Sequence, residues 1–181
     1  YEKAIDSYTM VTQLNPENRD AWYNLGSNYS IIEKYIDALR CYEQSLKNRE
    51  EADKIWEKLG SDYLKNKIYS AAIGCFIKAH ELRPENIIVL DKLCHCYETI
   101  EDFLKAVDCS LKILKLKPKD LDATKRVAFN YFRAKNYPDS IKYYGHALEI
   151  DKNDYMSLNY LGCCHTKLKV YNKAAKYLND S

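Results

Sequence analysis

The sequence is poor in residues that break regular structure, with five Gly and four Pro among 181 residues. Because turns and hairpins draw heavily on both types, this scarcity argues against a strand-rich fold. No apolar run approaches the roughly 20 residues that span a bilayer. Charge of one sign is also lacking, since 28 Lys+Arg face 26 Asp+Glu. The near balance argues against a nucleic-acid-binding arm or a polybasic membrane anchor.

Patterns that indicate a secreted protein are missing as well. Seven cysteines, an odd number, are scattered along the chain, whereas small secreted domains carry an even-numbered disulfide framework. We therefore expect a reducing, intracellular compartment, the cytoplasm. No signal peptide is visible, but the chain begins at Tyr1 rather than Met, so a targeting signal on preceding sequence would be unseen.

The chain also lacks the residue patterns of a catalytic or metal centre. The runs Cys94-His95-Cys96 and Cys163-Cys164-His165 are the strongest candidates, but adjacent helical residues point about 100° apart and do not converge on one ion. No arrangement around the four histidines suggests a triad, and no Gly-rich phosphate loop is present. We expect no metal, no cofactor and no enzyme activity, with the cysteines and His165 serving as packing residues.

What the sequence has instead is an uninterrupted period of 34 residues. An aromatic position recurs throughout, and its members are Tyr1, Tyr35, Tyr69, Phe103, Tyr137 and Tyr171. A position for small residues recurs in the same way, and its members are Gly26, Gly60, Cys94, Ala128 and Gly162. A third position begins with Trp, and its members are Trp22, Trp56, Leu90, Thr124 and Leu158. Cysteine repeats with the period too, at Cys41, Cys75 and Cys109.

Each period predicts two helices joined by a tight turn. Trp56, Gly60 and Tyr63 lie on one face of a first helix at helical spacing, and Tyr69 and Phe76 continue the pattern on a second helix. A small residue in the first helix lets the second approach closely. Polar residues stand where a first helix needs an N-cap, and these are Asn18, Asn86, Asp120 and Asp154. Ala52 takes that place in one repeat, so we expect a weaker cap and a more continuous connection there.

These residues resemble an array of tetratricopeptide repeats that covers the whole chain. The resemblance implies an all-α fold, a right-handed α-solenoid of antiparallel helix pairs with 34-residue repeats. It divides one array, 1–181, into the segments 1–16, 17–51, 52–85, 86–119, 120–153 and 154–181. The first segment is a lone second helix and the last is incomplete, so we expect a fragment of a longer array. Oligomerisation through the apolar array ends is a further expectation.

The resemblance also implies that the first helices line a concave groove that captures a partner. By helical phase, the partner-binding residues are predicted to be Tyr23, Asn24, Lys54, Lys58, Lys65, Lys92, His95, Lys125, Arg126, Phe129, Arg133, Asn159 and Tyr160. Three of them form a cation row (Lys58, Lys92 and Arg126), one per consecutive repeat, suited to acidic groups. An alternative is that neighbouring Asp91 and Asp122 cancel these charges. Phe129 and Phe132 are equally compatible with ligand contact and with packing between repeats.

Three functions fit this surface. The first is a protein-interaction scaffold that holds an extended or helical segment of a protein partner, acidic if the cation row is used. The second is the repeat arm of a larger enzyme, such as a transferase, that recruits its substrate. The third and weakest is single-stranded RNA binding by cations beside aromatics, against which the acids among the groove residues argue.

Overall fold

The computed structural model describes residues 1–47 and 50–180, and within these ranges the chain is helical with no strand. The described helices are α1 (Glu2–Leu14), α2 (Arg19–Ile31), α3 (Tyr35–Leu46), α4 (Ala52–Lys65), α5 (Tyr69–Leu82), α6 (Ile87–Thr99), α7 (Phe103–Leu116), α8 (Leu121–Arg133), α9 (Tyr137–Ile150), α10 (Tyr155–Lys167) and α11 (Tyr171–Asp180). The predicted all-α fold of repeated helix pairs is confirmed. Even-numbered helices are first helices of a repeat, and odd-numbered helices are second helices.

The turns inside the helix pairs follow the period closely. A left-handed residue precedes each second helix from α3 to α11 by two positions, and these residues are Glu33, Lys67, Glu101, Lys135 and Lys169. Their φ angles lie between 60° and 62°. Since L-residues with a Cβ pay roughly 1 kcal/mol or more for this conformation, packing of the helix pair must stabilise each turn. Nothing in the composition of these positions predicts the conformation.

The predicted N-caps of the first helices are confirmed. The side chain of Asn18 accepts a hydrogen bond from the backbone N–H of Ala21 at 2.9 Å, which satisfies one donor at the helix start. The other three caps do the same at their own helices, and these are Asn86, Asp120 and Asp154. Side-chain caps at Asp102 and Asn136 begin α7 and α9, which the repeat pattern did not indicate.

Helix α4 begins differently, as its missing polar residue predicts. It starts at Ala52 after Glu51, which has a left-handed backbone with φ 61° and whose side chain accepts no capping hydrogen bond. Ala52 therefore lies inside the helix rather than at its cap. The predicted continuity of this connection concerns residues 48 and 49, which lie outside the described ranges.

The helices group into two compact units, unit 1 (Tyr1–Pro84) and unit 2 (Glu85–Ser181). Unit 1 contains α1–α5, and one of its core clusters joins Ile5, Leu25 and Cys41. Unit 2 contains α6–α11, and a corresponding cluster joins Ala128, Tyr144 and Leu161. In both, the buried residues come from first and second helices together, so each helix pair depends on its neighbours for its core.

The small-residue position has the role that the pattern predicts. A Cβ added at Gly60 would lie 2.7 Å from Cε1 of Phe76, a ring that is fully buried. At Gly26 the same added atom would lie 2.9 Å from Cε1 of Tyr42. Glycine thus brings α4 onto α5 and α2 onto α3, which fixes the face that each first helix leaves exposed.

Candidate partner-binding surface

In unit 1 the predicted binding residues are exposed on the first helices α2 and α4. They are Tyr23, Asn24, Lys54, Lys58 and Lys65. The ring of Tyr23 packs on Tyr42 with centroids 5.3 Å apart, yet 37% of Tyr23 stays accessible.

The lysines of unit 1 differ in their surroundings. Lys54 pairs with Glu51 at the start of α4, and Lys65 pairs with Asp62 at its end. Lys58 makes no ion pair with any residue in the described ranges. Exposed pairs of this kind contribute little and exchange readily, so all three ammonium groups remain accessible to an acidic partner.

In unit 2 Arg126 is engaged by the protein itself. Its Nε and Nη2 donate to the two carboxylate oxygens of Glu98, each at 2.8 Å, and Nη1 donates to Asp91. Asn130 donates to the same Glu98 carboxylate at 2.7 Å. Acidic neighbours therefore neutralise the charge of Arg126, as the alternative to ligand binding predicts. The neighbours are Asp91 and Glu98, whereas the sequence pointed to Asp91 and Asp122.

The pKa directions agree with a charged pair. Burial alone would raise the pKa of Glu98, but the hydrogen bonds from Arg126 and Asn130 outweigh it and hold that pKa below its ordinary value. Burial alone would lower the pKa of Arg126. The hydrogen bonds to Glu98 outweigh burial and raise the pKa of Arg126. Asn130 is fully buried, and the sequence did not single it out; its signal is a polar residue one helical turn after Arg126.

Lys125 is a second predicted residue that the fold uses. Its Nζ donates to Oδ1 of Asp154 at 3.0 Å, and Oδ2 of Asp154 accepts from the backbone N–H of Ser157 at 2.9 Å. Burial raises the pKa of Asp154, but these bonds outweigh it and lower the pKa. Lys125 on α8 thus fixes the start of α10.

The aromatic residues of unit 2 pack between neighbouring first helices. Tyr160 on α10 contacts Phe129 and Phe132 on α8, with ring centroids 5.6 Å and 5.3 Å apart. The Tyr160 ring also stacks on Tyr144, with centroids 5.2 Å apart. Repeat packing is therefore the role seen for Phe129 and Phe132, but both Phe129 and Tyr160 are only half-buried.

The remaining predicted residues of unit 2 are more accessible. Arg133 places its guanidinium over the Phe103 ring at 4.5 Å and donates to Glu101 at 3.3 Å. His95 and Asn159 are exposed, and Lys92 is half-buried. Large apolar groups lie on the same helices, and these are Ile88, Tyr155 and Met156, all exposed.

Six of the seven cysteines are packing residues, as predicted. Six are buried and Cys163 is half-buried. Burial raises the pKa of the six buried thiols, to about 12 at Cys75 and Cys94. In the ranges that the structure describes, no group of three or more His, Cys, Asp or Glu could hold a metal ion.

His165 is buried and stacks on Tyr177 with centroids 5.6 Å apart. Its predicted place in the core is confirmed. The Nδ1 atom finds no hydrogen-bond partner among the described residues. Burial lowers its pKa, and Lys173 adds to the effect, so this ring favours the neutral form.

A search of the described helices for membrane spans finds none that is long and apolar enough.

Comparisons with known proteins agree on one kind of fold. A family model described as tetratricopeptide repeat matches residues 20–51. A segment of 46 residues is 41% identical to the human (Homo sapiens) protein O-mannosyl-transferase TMTC1. That segment is 25% of this chain and 5% of the human protein, so the chain matches only a small part of that relative's length.

Solved structures of MamA have a similar fold. MamA MSR-1 has a TM-score of 0.64 and 15% identity, covering 90% of this chain and 93% of that one. MamA from Desulfovibrio magneticus RS-1 has a TM-score of 0.62 and 16% identity, covering 89% and 91%. At such identities the likeness concerns the fold alone.

Proposed function

We propose that the chain is a tetratricopeptide-repeat scaffold for protein interactions, and that its first helices hold a segment of a partner protein. The observation that carries the proposal is the way unit 2 joins its first helices. Arg126 bonds α8 to α6, while Lys125 and Phe129 link α8 to α10. Preorganised side chains lose little entropy on binding, so this surface suits a partner segment.

The two units favour different chemistry in that segment. In unit 2 the charge of Arg126 is neutralised by Glu98 and Asp91. What remains accessible is the half-buried rings of Phe129 and Tyr160, Met156 and the amide of Asn159. Such a surface suits apolar side chains with a few hydrogen bonds. In unit 1 the exposed Lys54, Lys58 and Lys65 suit acidic side chains.

Site-specific photo-crosslinking in the source cell tests the proposal. We place benzoylphenylalanine at Met156 or Lys58 on first helices, and at Leu104 or Ile36 on second helices as matched exposed controls. We expect the first-helix positions to capture one shared set of proteins that the controls do not capture. Capture only from Leu104 and Ile36, or none from Met156 and Lys58, would contradict the proposal.

A charge reversal tests the acidic preference of unit 1 separately. Lys58→Glu should weaken partner capture several-fold while the circular dichroism spectrum stays unchanged, because Lys58 has no structural ion pair in the described ranges. Lys3→Glu, an exposed lysine on the second helix α1, is the control. Arg126 is unsuitable for this test, since its loss would leave Glu98 without its partner.

A second candidate function is the repeat arm of a larger enzyme that presents substrates to a catalytic domain. The observation that favours it is the 46-residue likeness to protein O-mannosyl-transferase TMTC1. The full-length transcript decides the matter: a folded catalytic domain encoded with these repeats supports the arm, and a transcript of repeats alone removes it.

We also propose a reducing compartment inside the cell, the cytoplasm, as the place of action. Six buried cysteines without disulfides support it, since thiols persist where glutathione and thioredoxin keep them reduced. Fractionation of the source cell tests the proposal, and recovery in the secreted fraction would contradict it.

A further inference from the structure

Three clefts on the second-helix side of the repeats occupy one equivalent place. In unit 1, one cleft lies over Trp22 between α1 and α3, and another lies over Trp56 between α3 and α5. In unit 2, a cleft lies over Thr124 between α7 and α9. Trp22, Trp56 and Thr124 are members of the same 34-residue series, so the clefts correspond position by position.

In the cleft of unit 2, Thr124 stands where the other two clefts have tryptophan. Its volume is about 520 Å³, against about 330 Å³ over Trp56 and about 480 Å³ over Trp22. This exceeds the roughly 300 Å³ at which small-ligand pockets begin. The walls carry apolar and aromatic side chains, namely Leu114, Tyr143 and Ile150. The threonine hydroxyl is turned to its own helix, donating to the carbonyl of Asp120 at 2.7 Å.

The first repeat shows what an indole does in this place. Trp22 donates its Nε1–H to the carbonyl oxygen of Pro16 at 2.8 Å. Pro118 is the equivalent proline three periods later, and it lines the cleft over Thr124. No described residue donates to the carbonyl oxygen of Pro118. The repeat therefore keeps the acceptor for an indole but not the indole.

The charge around Pro118 is positive. Lys115, Lys117 and Lys119 are exposed in the stretch that ends α7, and none forms an ion pair with a residue in the described ranges. Lys119 lines the cleft, together with His146 and Glu149. A partner with carboxylates next to the cleft would pair with these ammonium groups.

We propose that the cleft between α7 and α9 binds a tryptophan side chain of a partner segment with Asp or Glu beside it. The indole ring fills the space over Thr124 between Leu114, Tyr143 and Ile150, and donates its N–H to the carbonyl of Pro118. The neighbouring carboxylates pair with Lys117 and Lys119. A second copy of this chain does not supply the indole, because Trp22 and Trp56 are packed in their own repeats.

Peptide titrations followed by ¹H–¹⁵N NMR test the inference. The probe is acetyl-Ser-Asp-Trp-Asp-Ser-amide, compared with the same peptide carrying Leu for Trp or Asn for both Asp. We expect saturable shifts at the amides of Lys119, Thr124 and Ile150. The leucine peptide should bind at least about fivefold more weakly, as aromatic anchors dominate such contacts, and the asparagine peptide about two- to fivefold more weakly.

Two substitutions test whether the peptide binds in the cleft over Thr124 rather than on another surface. Thr124→Trp supplies the indole from within, as in unit 1, and should abolish binding of the tryptophan peptide. Thr124→Val keeps the size of the side chain and should bind the peptide as the wild type does. Equal affinity for the leucine and tryptophan peptides, shifts elsewhere than the cleft, or undiminished binding by folded Thr124→Trp overturns the proposal. Should Thr124→Trp fail to fold, the peptide comparison on the wild type decides alone. First-helix crosslinking is independent of either result.

Discussion

Arg126 on α8 and Glu98 on α6 form a two-point ion pair in which two N–H groups meet two carboxylate oxygens, each at 2.8 Å. Both side chains are 23% exposed, so the pair is partly removed from water. It joins equivalent faces of consecutive repeats in unit 2. A residue that looks like a ligand contact in the sequence is thereby a contact between repeats.

Removing Arg126 should destabilise the protein strongly. Arg126→Met leaves the Glu98 carboxylate partly buried without its cation, and we expect the free energy of unfolding to fall by about 2–3 kcal/mol, less than for a fully buried pair. Urea denaturation followed by circular dichroism measures it. The control is Arg40→Met, which breaks the exposed 3.6 Å pair with Asp37 and should cost under about 0.5 kcal/mol. Equal losses in both variants would contradict this role of Arg126.

The same pair predicts an acid-dependent loss of stability. The pKa of Glu98 is lower in the folded protein than in the unfolded chain, so its contribution is present above the unfolded value, about 4.3. That contribution is lost as the pH falls through the folded pKa. Glu98→Gln should therefore lower stability at pH 7 and flatten its decline below pH about 4, measured by urea denaturation at each pH. If the stability of Glu98→Gln declines with acid as steeply as that of the wild type, Glu98 is not a source of the acid-dependent loss.

Two glycines should respond to alanine in opposite directions. At Gly60 the added Cβ would meet the buried Phe76 ring, and we expect a loss of about 1–2 kcal/mol after the helix propensity of alanine is included. At Gly145 no atom lies within 4 Å of the added Cβ, so alanine should stabilise by about 0.5–1 kcal/mol. Thermal unfolding compares the two variants. Stabilisation by Gly60→Ala would show that α4 and α5 can separate without cost.

The thiols should divide into one reactive group and six protected ones. Cys163 is half-buried, whereas burial raises the pKa of Cys75 to about 12 and of Cys109 to about 11. Since the thiolate is the reacting species, Ellman's reagent at pH 8 should modify Cys163 at least about a hundredfold faster than the rest. Cys163→Ser should remove the fast phase, and urea should release all thiols together. Several fast thiols in that variant would contradict the predicted burial.

Much of the fold follows from spacing along the chain. The helix pairs, the caps such as Asn18 and the close approach at Gly60 depend on residues a few positions apart or one helix away. Local backbone geometry and residue size determine those features. The left-handed turns such as Lys67 were missed because the side chains there do not report the conformation that packing imposes.

The sequence by itself determined the 34-residue period, the pairing of helices and the resemblance to tetratricopeptide repeats. The tertiary structure decided which predicted surface residues remain accessible. It directed Arg126 to Glu98 and Lys125 to Asp154, packed Phe129 against Tyr160, and left the cleft over Thr124. These outcomes depend on distances between side chains about one period apart, and a linear pattern records which residues recur but not which of their charges and rings meet.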